Sequence, residues 1–111
     1  MFVVQDEYRR TWPVKLKFET AGGKVEEHTF QALFKVPSIG RIKELTGARN
    51  QLEADEQMLR EALIGWDGIV GQDKEPIPFS VEARDRLLDV PIIRVAISRA
   101  LQDAIAGLEK N

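Results

Sequence analysis

Cysteine is absent from the chain. That removes disulfides, thiolate nucleophiles and cysteine-based zinc sites together, and it fits a reducing cytoplasm. Long apolar runs are missing as well. Met1-Phe2-Val3-Val4 turns polar at Gln5-Asp6-Glu7, too short for the roughly 7–15 apolar residues of a signal-peptide core. Later apolar stretches are broken by Arg94 or by loop residues, so none approaches the ~20 residues that span a bilayer. Histidine occurs once, at His28. A net charge of −2 argues against a general nucleic-acid or anionic-membrane binder. Internal repeats and low-complexity runs are also lacking.

What is present describes a folded cytosolic protein. The 111 residues, 43% hydrophobic and 31% charged, make room for one domain with a modest core and do not resemble a disordered chain. Charge is unevenly spread. Ten acidic and four basic residues lie between Asn50 and Val90, whereas Pro37–Arg49 carries Arg41, Lys43 and Arg49 against Glu44 alone.

Trp12, Val14, Leu16 and Phe18 alternate with Pro13, Lys15, Lys17 and Glu19, the period of two expected for a strand with one buried face. Gly22-Gly23 then supplies turn chemistry. A second alternation follows through His28, Phe30, Ala32, Phe34 and Val36. The pattern predicts a β-hairpin over about 12–36, which needs a layer to pack on because two strands alone are marginal in water.

Helices over about 38–108 provide that layer. Ser38 is placed as the N-cap of a helix carrying Ile39, Ile42 and Leu45, which Gly47 ends. A longer helix from about Glu53 to Ile64 turns Leu59, Ala62 and Leu63 inward, and Gly65-Trp66-Asp67-Gly68 stops it ahead of a loop to Pro78. Ser80 caps a short helix with Glu82 in its first turn, and Pro91 opens the last one, about Ile92 to Leu108. On that helix Ile93, Ala96, Ile97, Ala100, Leu101, Ala104, Ile105 and Leu108 form an apolar face. Ile92, Val95 and Ala106 widen it beyond the ~100° stripe a surface helix usually buries. The expected fold class is α+β, an N-terminal hairpin packed on three to four C-terminal helices.

Residues that could carry chemistry are sparse. His28 falls on the inward phase of its strand without an evident carboxylate partner on that face, so a core or rim histidine is expected. The acid pairs Asp6-Glu7, Glu26-Glu27 and Asp55-Glu56 are adjacent in sequence and diverge in direction, which makes poor acid–base dyads. Asp67, Asp73 and Glu75 lack the spacing of a calcium loop, and Gly65, Gly68 and Gly71 lack the Gly-Lys-Ser/Thr of a phosphate cradle. Arg9, Arg10, Lys15 and Lys17 lie near Tyr8 and Trp12, but cations and aromatics are not interleaved on one surface, as single-strand binding requires. No enzyme, cofactor, metal or nucleic-acid partner is expected. The wide face of the last helix has two readings, the centre of the core or, in part, a docking surface. Trp66 divides in the same way between core plug and exposed anchor.

The order of several motifs carries a resemblance. Gly65-Trp66 closes a helix, Asp67-Gly68-Ile69-Val70 and the turn Asp73-Lys74-Glu75-Pro76 follow, and Ile77-Pro78-Phe79-Ser80 leads to Leu87-Leu88-Asp89-Val90-Pro91 and the apolar helix with Ile97 and Ala100. This resembles the tail assembly chaperones of long-tailed phages and prophages. The opening Phe2-Val3-Val4-Gln5-Asp6-Glu7-Tyr8, feeding the Trp12–Phe18 strand, is similar to the N-terminal half of one branch of that family. The chain departs from the pattern at Lys74, where related sequences often carry glycine. The resemblance implies a non-catalytic role: binding the long helical tape-measure protein, keeping it soluble and helping to recruit tail-tube subunits. In many such phages a frameshift yields a longer form, and this chain would correspond to the shorter product.

The expected partners are therefore the tape-measure protein and the tail-tube protein, with self-association when they are absent. The candidate partner-binding residues are Trp66, Phe79, Ile93, Ile97, Leu101, Ile105 and Leu108. The alternative is a small cytosolic protein-binding module, adaptor or antitoxin-like, of another system.

Overall fold

The computed structural model describes residues 1–107. Strands β1 (Arg9–Glu19) and β2 (Val25–Lys35) form the hairpin in unbroken antiparallel register from Arg9↔Lys35 to Glu19↔Val25. The turn closes through Thr20 N to Lys24 O (2.8 Å) and Gly23 N to Thr20 O (2.9 Å). Gly23 there has φ +79°, a conformation glycine adopts without steric penalty.

Among the described residues four helices follow: α1 (Ile39–Thr46), α2 (Gln51–Ala62), α3 (Val81–Leu88) and α4 (Pro91–Ala106). Their limits follow local chemistry. The Ser38 hydroxyl accepts from Arg41 N and the Ser80 hydroxyl from Ala83 N, satisfying first-turn donors that have no partner within the helix. Pro91 opens α4, and Gly107, with φ +70°, closes it.

The fold is α+β, with one addition to the expected hairpin. A third strand, β3 (Leu63–Asp67), pairs antiparallel with β2, giving the sheet order β1-β2-β3. The helix expected to reach Ile64 ends at Ala62, and Gly65-Trp66-Asp67 is strand rather than helix stop. Leu63 is fully buried opposite Phe34, and Gly65 lies opposite Leu33, where a Cβ would stand 3.4 Å from the leucine side chain.

The helices cover one face of the sheet. Trp12, Val14 and Leu16 of β1, Phe30, Ala32 and Phe34 of β2 and Leu63 of β3 meet Leu59 and Ala62 of α2, Leu88 of α3, and Ile97, Ala100, Leu101 and Ala104 of α4 in a single core. Among the described residues, no polar or charged residue is buried. The hairpin outruns this cover. Phe18 is half-buried, and His28, on the same face as Phe30, has its side chain 60% exposed. His28 is thus a surface residue rather than a core or rim one. Its ring lies 5.9 Å from Phe18, and Glu26 supplies a carboxylate 3.3 Å from Nε2 on that face.

Candidate functional site

Among the described residues, β1 is one free edge of the sheet. Which of its backbone groups face outward follows from the two ends of the hairpin. Val36 N donates to Tyr8 O and Thr20 N to Lys24 O, so the even residues of β1 form the hydrogen-bonded pairs with β2. In an antiparallel ladder the intervening residues then turn their main-chain groups to the other side. Thr11, Pro13, Lys15 and Lys17 therefore present theirs at the free edge. Proline is tolerated there because its missing N–H interrupts no bond to β2.

α4 packs chiefly on β1, and between the two lies a groove of about 660 Å³. Its floor includes Trp12, Leu16, Ala96 and Ala100; Pro91, Ile92 and Val95 form the helical rim, and Pro13, Lys15 and Lys17 the strand rim. Ile92 and Val95 are 43% and 54% exposed. Among the described residues, charge along the groove comes from Lys15, Lys17 and Arg99 against Asp103, a cationic excess around an apolar centre. Arg10 stands beside the floor, its guanidinium carbon 5.3 Å from the Trp12 ring centroid.

The candidate residues read from the sequence do not form one patch. Ile97 and Leu101 are buried in the core, so as partner contacts they are corrected: their side chains hold α4 to the sheet and are not offered at the surface. Ile93 is half-buried against the core, while Ile105 is 37% exposed beside Ile42, Leu45 and Met58 in a small cavity of about 170 Å³. Leu108 lies outside the described residues. Trp66 and Phe79 do meet, with ring centroids 4.9 Å apart and an edge-on angle of 74°, a favourable aromatic geometry. Trp66 Nε1 donates to the Ile77 carbonyl at 2.8 Å, which ties the loop after β3 back onto the sheet. Trp66 is thus a half-buried brace at the β3 edge, across the sheet from the groove.

Sequence reasoning missed the strand side of the groove, Pro13, Lys15 and Lys17. Ile92 and Val95 were the available signal, since they exceeded the width of a buried helical stripe.

A second cavity, about 510 Å³, is bounded by Glu7, Lys35, Arg41 and Glu61 among others. Its cations are already engaged. Arg41 Nε donates to Glu61 Oε1 at 2.9 Å and a second bond joins Arg41 Nη2 to Oε2, while Gln57 donates to Glu61 at 2.7 Å. The hydrogen bond from Arg41 is the main cause that lowers the Glu61 carboxyl to about 2, and the same bond raises the Arg41 guanidinium. Glu7 is lowered chiefly by its hydrogen bond from Arg9. Among the described residues, no helix is long and apolar enough to cross a membrane.

Compared with known proteins, the chain matches no family model, no curated protein and no solved structure.

Proposed function

We propose that this chain is a non-catalytic tail assembly chaperone of a long-tailed phage or prophage, acting in the host cytoplasm on the tape-measure protein. The observation that carries the reading is the groove between α4 and the β1 edge, where Ile92 and Val95 stand exposed beside cationic stems. An apolar surface left uncovered by the chain's own core is what a holding protein needs, and the charged exterior keeps the loaded complex dispersed. A helical client segment lays an apolar stripe into such a groove, with its acidic flanks toward Lys15, Lys17 and Arg99. The ordered motifs from Gly65-Trp66 to Val90-Pro91 support the same reading. Recruitment of tail-tube subunits belongs to the proposal through that resemblance alone.

Co-expression with a long helical tape-measure protein, taken from the same genome, tests it. Pull-down and size-exclusion chromatography are expected to show co-elution, with the client insoluble when made alone. Val95→Asp, folded by circular dichroism, is expected to lose the client. A client that is soluble alone and never co-elutes would overturn the assignment and favour a binding module of another system.

A further inference from the structure

We propose that the segment preceding β1, Met1–Asp6 of a second copy of this chain, docks in the groove between the free edge of β1 and α4. Phe2, Val3 and Val4 are 78%, 73% and 78% exposed, a contiguous apolar run left uncovered among the described residues. Its valines favour extended structure, and an extended segment is what an open strand edge accepts. Thr11, Lys15 and Lys17 offer both donors and acceptors on that edge, and Pro13 offers its carbonyl. On alternate positions the segment sets apolar side chains toward Ile92 and Val95. Asp6 follows the apolar run, and among the described residues the groove that receives it holds Lys15, Lys17 and Arg99 against one acid. Hydrogen-bonding capacity, apolar character and the charge at Asp6 therefore favour this segment as the occupant when no client fills the groove.

The chain's own segment is directed elsewhere. Tyr8 O accepts from Val36 N at 2.8 Å, Glu7 pairs with Lys35, and Asp6, Glu7 and Tyr8 line the cavity shared with Arg41 and Glu61. The segment thus leaves β1 on the flank of β2 and α1, whereas the groove lies along the opposite edge from Trp12 to Lys17. Gln5 N is held to the Tyr8 hydroxyl at 3.1 Å. The four residues before it reach ~14 Å at full extension. Crossing one strand (~5 Å) and running four to nine residues along it (~13–30 Å) exceeds that reach. A second copy has no such restriction.

The test uses the purified chain alone, so its outcome is separate from that of the client experiment. Light scattering coupled to size exclusion is expected to show the apparent mass rise from 12.6 kDa toward twice that value with concentration. Phe2→Ser with Val4→Asp, and separately Val95→Asp, are each expected to hold the protein monomeric with an unchanged circular dichroism spectrum. Mixing these two chains is expected to restore a dimer, because one retains the groove and the other the segment. Because the chain has no cysteine, a Val3→Cys chain mixed with a Lys15→Cys chain is expected to form a disulfide-linked pair. A mass fixed at 12.6 kDa up to about 1 mM, the weak end of useful affinity, would overturn the proposal. So would a dimer indifferent to both sets of substitutions, or a Val3→Cys/Lys15→Cys double variant that closes only within one chain.

Discussion

Replacing Ile97 by alanine separates the two readings of α4 most directly. Ile97 is fully buried, at the centre of the contact between α4 and the sheet. The substitution removes about three carbon groups at ~0.8 kcal/mol each, or ~2.4 kcal/mol of transfer free energy. A cavity that relaxes only in part adds ~1 kcal/mol. The expected loss of ~3–4 kcal/mol is a large share of the ~5–15 kcal/mol that stabilises a domain of this kind. Urea titration followed by the fluorescence of Trp12 and Trp66 reads it. With a slope of about 1.5 kcal/mol/M, the midpoint is expected to fall by ~2 M with the slope unchanged. Val95→Ala, one-half exposed on the same helix, is expected to stay within ~0.5 kcal/mol of the parent while weakening client binding. A loss below ~1 kcal/mol at Ile97, or an equal loss at Val95, would refute the placement of α4 on the sheet.

Two further outcomes follow from local geometry. Lys74 has φ +65°, the left-handed region that costs an L-residue ~1 kcal/mol, so Lys74→Gly is expected to raise the thermal midpoint by a few degrees, and a lower midpoint would contradict the turn as described. The Glu61 carboxyl, held at about 2 by Arg41 and Gln57, binds fewer protons folded than unfolded. Its stabilisation is therefore complete above its ordinary value near 4.5 and is lost as pH falls toward 2. With both side chains about one-third exposed, screening limits the effect to under ~1 kcal/mol. Acid titration of Glu61→Gln should accordingly be shallower than that of the parent over that range, and superimposable curves would remove the pair as a cause.

Much of the fold was legible because its signals are local. Alternation from Trp12 to Phe18 and from His28 to Phe34, the caps Ser38 and Ser80, and Pro91 at the head of α4 each act within a few residues. What was not legible depends on distant partners. Leu63-Ile64-Gly65-Trp66-Asp67 is too short to display a period, and its pairing is chosen by Leu33 and Phe34 some 30 residues earlier in the chain. His28 obeys the inward phase of β2 yet is exposed, because alternation records which side a residue faces and not whether another layer reaches it. On α4 the sequence marked apolar width but not how it divides: the sheet takes Ile97, Ala100, Leu101 and Ala104, and the groove keeps Ile92 and Val95. The groove itself exists because β1 is an edge, a property of strand order rather than of any residue.

The passage from α2 to β3 has no connecting residue: Ala62 is the last of the helix and Leu63 the first of the strand. One residue added there turns a helix by ~100° and exchanges the faces of a strand. It would swing Leu63 out of the core and bring a neighbour in. Length is therefore constrained at this junction, whereas the turn at 20–24, the link at 47–50 and the loop at 68–80 stand outside the helices and strands and tolerate insertion more readily. A residue gained between positions 62 and 63 would need a second β-bulge beside the one that already leaves Ile64 out of the pairing with Leu33 and Phe34.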